Sequence, residues 1–165
     1  MNIISLRQPY AAAVLLGALP GIDLAKRSTF RGPLLIHAGV RDRVPATWFN
    51  DIKMGDGKLA GIENAIIGMI TVNYPAHIED CQLFFLRGPH VLVTQATSAR
   101  IFVEPITCHP VAGGVRKLEG AAMQVNVDIA LQSALDVAHW QSSVDVVDLS
   151  NTNVLMPGPD GWTGD

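Results

Sequence analysis

The sequence predicts a small α+β domain: a partly closed β-barrel of five or six short strands, flanked by helices and followed by a helical and strand extension. Three observations carry that expectation. Apolar runs of strand length recur at "NIISL", "LLIHA", "NAIIGMITVNY", "HVLVTQA" and "RIFVEPI". One of them holds a glycine, Gly68, at a place where the lack of a Cβ marks a bulge or a barrel bend. The two principal helical patterns follow residues 9 and 127, so the middle of the chain lacks the alternating helices of a parallel doubly wound sheet. The hydrophobic share of 48% is ample for a core, and the charged share of 16% is low.

Taken in order, "NIISL" reads as a strand, and Pro9 suits the first turn of a helix, where its missing N–H has no partner to lose. "YAAAVLLGAL" continues that helix until Gly17 and the Pro20-Gly21 pair end it. Residues 22 to 32 carry basic side chains and close on the turn signal Arg31-Gly32-Pro33. "LLIHA" reads as a buried strand interrupted by His37, "PATWFNDIK" as the start of a short helix, and "GDGKLAG" as a loop. Residues 64 to 74 form the glycine-bearing strand, and 75 to 89 a loop with a short irregular piece. "HVLVTQA" and "RIFVEPI" give two further strands, the second closed by Pro105. "HPVAGGVRKLEG" is turn-rich, with a tight turn at Gly113-Gly114. "AAMQVNV" alternates as a half-buried strand does, and "DIALQSALDVAHW" follows as an amphipathic helix with Asp128 as its N-cap. "VDVVDL" suggests one more strand before a loose tail at "PGPDGWTG".

With 165 residues the chain suits one domain or a domain with an appendage. No apolar run reaches the roughly 18 residues of a membrane span, and "MNIISLRQPY" lacks the pattern of a signal peptide. Two cysteines, Cys81 and Cys108, are too few for a disulfide scaffold, so a reduced cytoplasmic setting is expected. The formal net charge of −3 argues against bulk coating of nucleic acid. Its distribution is uneven: Lys26, Arg27, Arg31, Arg41 and Arg43 stand together against the single acid Asp42. Such an island is either an anion-attracting patch or a solvated basic loop.

Three sets of side chains carry candidate chemistry. Arg7, Gln8 and Tyr10 surround the first helix N-terminus, where backbone N–H groups suit an anion, Gln8 reads a base edge and Tyr10 stacks. They read equally as local ion-pair and packing residues. Asp23 with Lys26 and Arg27 forms a carboxylate held ionised by cations, able to orient a base or to activate water. A salt-bridged connection is the bland alternative. Arg31 and His37 border one strand, and His37 is either a ligand contact or a satisfied core histidine. No metal site is expected, since Cys108-His109 and His77 with Cys81 lack the paired spacings of zinc ligands. Nor is a cofactor, because neither a phosphate-binding loop nor a dinucleotide fingerprint is present.

"SLRQPYAAAVLLG" followed by "FRGPLLIHAG" resembles the two opening signatures of the ASCH family. "NAIIGMITVNYPAHI" and "GPHVLVTQATSARIFVEPITCHPVAGG" are similar to its later strands, and the likeness runs over roughly residues 3 to 127. The resemblance implies a PUA-like barrel over 1–127 with an extension, 128–165, packed on it. It also implies binding of single-stranded RNA or a modified nucleotide in a basic cleft between the first helix and residues 26–43. Arg7, Gln8, Tyr10, Arg27, Arg31 and His37 would line that cleft. An alternative carried by the same family is a hydrolase of an acetylcytidine-like nucleoside, or an RNA-cleaving enzyme, with Asp23 and Lys26 catalytic. Many members carry GxKTxExR between the signatures. Here "GALPGIDLAKR" offers Asp23 for the acid and Lys26 or Arg27 for the arginine, whereas Ala18, Leu19 and Pro20 fill the lysine's place.

Overall fold

The computed structural model describes residues 1–19, 21–24, 26–42, 57–77, 90–110 and 113–143. Its elements in chain order are β1 (Asn2–Gln8), α1 (Tyr10–Leu15), β2 (Gly21–Leu24), β3 (Gly32–Arg41), α2 (Gly57–Ala60), β4 (Ala65–His77), β5 (His90–Thr107), β6 (Arg116–Lys117), α3 (Ala121–Ser133) and α4 (Val137–Ser143). The fold is α+β, as the sequence implies. Among the described residues six strands form one mixed sheet, in the order β2-β5-β4-β3-β1-β6. β1 and β3 run parallel, and every other neighbouring pair is antiparallel.

The sheet is not closed into a barrel. β2 and β6 lie at its two edges, and β6 pairs only through Arg116 and Lys117 with Ile3 and Asn2. The physical reason lies in "LLIHA". A small barrel buries one face of each strand, but β3 buries both. Leu34, Ile36 and Ala38 join Ile4, Ile67 and Ile70 beneath α1. Leu35 joins Ile3, Ile66 and Phe102 against Val127 of α3 on the opposite face. A strand covered on both sides reads as an unbroken apolar run. The arrangement is a helix-sheet-helix sandwich with two cores.

α1 seats closely because Ala11, Ala12 and Ala13 are fully buried small residues. Gly68 completes the fit. A Cβ there would meet the Arg100 carbonyl and the Leu15 methyls, and the pairing registers of β4 with β5 shift beside it, so the expected bulge is present.

Three expectations for the later elements are corrected. "HVLVTQA" and "RIFVEPI" belong to one 18-residue strand, β5, which shifts register against β4 three times instead of breaking. "AAMQVNV" is helical, not a strand. Met123 and Val127 stand four apart on the buried side of α3, while Val125 between them is exposed, which over seven residues imitates a period of two. Asp128 therefore sits within α3 instead of capping it. The N-cap is Gly120 at φ 92°, a left-handed conformation in which glycine has no Cβ to strain. The second helix pattern also splits. Ala134 turns extended, Leu135 pairs with Ile101 through bonds of 2.7 and 2.9 Å, and α4 then starts with Asp136 accepting from the His139 N–H at 2.8 Å.

The boundary at 127/128 falls inside α3, and "GDGKLAG" contains the short helix α2. "PATWFNDIK", most of the 75–89 loop, "VDVVDL" and the tail lie outside the described residues. Among the described residues no helix is long and apolar enough to cross a membrane.

Candidate nucleic-acid interface

The parallel pair β1 and β3 sets a direction for the whole site. Gln8 is level with Arg41 at one end, and Asn2 is level with Leu34 near the other. Arg7, Gln8 and Tyr10 therefore gather where β1 and β3 finish. There Gln8 is fully buried. Its side-chain amide donates to the carbonyls of Leu59 at 2.8 Å and Ile62 at 2.7 Å, and its oxygen accepts from the Ala12 N–H at 3.2 Å. One side chain thus ties α1 to the turn after α2. Reading a base edge would require breaking that clamp. Tyr10 is half-buried and packs against the α1-side core. Arg7 is exposed and faces Asp42 at 3.5 Å, while Arg41 faces Glu63 at 3.7 Å. Arg7 and Arg41 are thus each offset by a carboxylate.

His37 lies midway along β3 and has no solvent exposure. Its Nδ1 is 2.8 Å from the Ser5 hydroxyl, and its Nε2 is 3.2 Å from the Cys108 carbonyl. A carbonyl only accepts, so Nε2 carries the proton and donates to it. In the neutral ring that burial favours, Nδ1 accepts from the Ser5 hydroxyl. Burial pulls its pKa below the ordinary histidine value, only partly opposed by the bond to the Cys108 backbone. The satisfied core histidine is the arrangement present, and His37 does not open onto a cleft with Arg31.

Lys26, Arg27 and Arg31 occupy the opposite end. β2 runs antiparallel to β5 and leads down to the turn that carries them, and Arg31 directly precedes β3. β3 spans ten residues. At about 3.3 Å per residue the Arg31 and Arg7 ends stand roughly 30 Å apart. The expected cleft between the first helix and the 26–43 segment is thereby divided: no single nucleotide touches both walls. Asp23 pairs through its backbone with Val91, and its side chain lies outside the described residues, as does Arg43. Lys26 is exposed, without the apolar enclosure that a lysine nucleophile relies on.

The same end holds two cations that the sequence reading passed over. Arg116 and Lys117 form β6, beside Ile3 and Asn2, which are themselves level with Leu35 and Leu34. Two strand spacings, about 10 Å, separate β6 from β3. Lys26, Arg27, Arg31, Arg116 and Lys117 are all exposed, and none has a carboxylate in ion-pair range among the described residues. The signal in the sequence was the "RK" pair in a glycine-flanked turn, masked by its distance from the first basic island.

The chain matches no known family model and no curated protein. The site therefore rests on its own geometry. Among the described residues no group of three histidine, cysteine or acidic side chains is placed to hold a metal ion.

Proposed function

We propose that this chain is a binding module for single-stranded RNA or a modified nucleotide, and that its contact surface is the end of the sheet carrying Lys26, Arg27, Arg31, Arg116 and Lys117. The observation that carries the reading is the asymmetry of the two ends. Arg7 and Arg41 face Asp42 and Glu63, whereas the five cations opposite have no such partner among the described residues. Unpaired exposed cations attract phosphate without first breaking an ion pair, and single strands wind across such surfaces by charge and stacking. The sequence resemblance to ASCH domains points to the same ligand class.

The net charge of −3 confines the attraction to that end and sets a small footprint. Fluorescence anisotropy of a labelled single-stranded RNA tests this. An Arg27→Glu, Arg31→Glu double variant is expected to weaken binding at least about tenfold and to flatten the salt dependence, since each phosphate contact on a single strand contributes about 0.7 to the slope. Arg7→Glu is expected to change affinity less than about twofold. Wild-type affinity in the double variant refutes the reading.

A further inference from the structure

A shallow groove of about 620 Å³ lies on the α3 side of the cationic end, between β6, the start of β1 and the first turn of α3. Its lining divides by chemistry. Arg116 and His109 bring nitrogen donors, Lys117 borders it from the sheet edge with its side chain alternating toward the other face, Glu119 brings one carboxylate, and Met123 brings apolar surface. Ile3 and Leu118 are almost wholly buried and form the floor. Arg116 Nε donates a long bond of 3.4 Å to the Gly113 carbonyl, which leaves its two terminal nitrogens without a partner among the described residues.

We infer that this groove is a nucleotide subsite, in which Arg116 holds the phosphate, Lys117 adds its charge from the sheet edge, and Met123 packs against the base above the buried Ile3 and Leu118. The inference rests on the RNA-binding reading and extends it to a place neither the basic island nor the first helix includes. The volume lies within the roughly 300–1,000 Å³ of small-ligand clefts. A guanidinium fork matches two phosphate oxygens, and the neighbouring ammonium adds a point charge. An apolar floor with a methionine suits a flat heterocycle, because a thioether packs favourably against ring edges. Glu119 supplies the discrimination. It repels a bare phosphate but accepts from a ribose hydroxyl or a base amino group, so the lining favours a nucleotide over the inorganic ion.

Position fits the same ligand. Lys117 is level with Leu34, three residues beyond Arg31. The offset is about 10 Å along the strands and about 10 Å across them. A strand of RNA leaving the groove thus reaches Arg31 within a few nucleotides.

The test uses the full chain and two readouts. Amide NMR spectra are recorded with cytidine monophosphate, adenosine monophosphate and inorganic phosphate as separate additions. In parallel, anisotropy of a labelled oligouridylate is measured for the wild type, for Arg116→Ala with Lys117→Ala, and for the Arg27→Glu, Arg31→Glu variant. Nucleotides are expected to shift the amides of Cys108, His109 and Arg116 to Met123, with inorganic phosphate weaker at equal concentration. The Arg116→Ala, Lys117→Ala protein should bind the oligonucleotide at least about fivefold more weakly, with a salt slope lower by about 1.4 for two lost contacts. Both substitutions are on an exposed two-residue edge strand, so an unchanged circular dichroism spectrum is expected and certifies the fold.

Unmoved amides, or wild-type binding by that variant while Arg27→Glu, Arg31→Glu fails, overturns the groove and leaves the RNA reading standing. Nucleotide-shifted amides with no oligonucleotide binding by the wild type do the reverse. Equal shifts from inorganic phosphate overturn the base-binding floor.

Discussion

Replacing Gln8 separates a residue that binds ligand from one that holds the fold. Its amide satisfies two carbonyls, of Leu59 and Ile62, and one N–H, of Ala12, from a fully buried position. Gln8→Ala removes all three bonds. At about 1 kcal/mol net for each, the loss is about 3 kcal/mol, and the space vacated by the side chain adds a further ~1 kcal/mol. Water reaches the half-exposed Ile62 more easily than Leu59, which keeps the cost from rising to the full desolvation of three groups. Urea unfolding followed by tryptophan fluorescence measures it, because Trp140 is buried beside the α1-side core. With a slope of about 2 kcal/mol per molar, the midpoint should fall by about 2 M at constant slope. RNA affinity of the folded fraction should stay within about twofold. A stability loss under about 1 kcal/mol, or an affinity loss in protein shown to be folded, refutes the clamp.

Three further outcomes follow from other contacts. Because burial lowers the His37 pKa from 6.5, the unfolded chain binds the proton first, so its contribution is intact above about pH 6.5 and is lost as pH falls below that. Wild-type unfolding free energy should decline there by at most about 1.4 kcal/mol per pH unit from this group, and His37→Gln should show a flatter decline between pH 5 and 7. Gly68→Ala drives a methyl against the Arg100 carbonyl and Leu15, and should cost about 1–3 kcal/mol in the same urea assay. Arg7→Ala breaks only an ion pair whose side chains are 65% and 37% exposed, and should cost less than about 1 kcal/mol at ordinary salt.

Local pattern gave β1, α1, β3 and β4 because each is an apolar run bounded by its own punctuation: Pro9 and Gly17 around the helix, Gly32-Pro33 before β3. Closure was not legible in the same way. Whether "LLIHA" lines a barrel or divides two cores depends on what covers its second face, and that cover is α3, some 85 residues onward in the chain. The helix hid because Val125, exposed between Met123 and Val127, turned a period of four into an alternation. At the site, residue type was informative and direction was not. Gln8 and Arg7 are adjacent in sequence, yet one points into the core and the other to water. Arg116 and Lys117 were invisible as partners of Arg31 because only the pairing of β6 with β1 brings them to its end.

That dependence on direction makes location, not total charge, the quantity to vary. Glu119→Gln and Asp42→Asn each raise the net charge by one. The first removes an acid from the cationic end, and the second releases Arg7 roughly 30 Å away along the sheet. At 0.15 M salt the screening length is about 8 Å, so a charge at that distance contributes almost nothing to a phosphate held by Arg116 or Arg31. Glu119→Gln should therefore tighten oligonucleotide binding severalfold, and at the same time narrow the preference for nucleotide over inorganic phosphate. Asp42→Asn should leave both within about twofold. Lowering the salt to 0.01 M extends the screening length to about 30 Å and should bring the two variants closer together. Equal effects at both salt concentrations would mean that the ligand senses only the net charge of the protein, and an interface confined to one end of the sheet would be untenable.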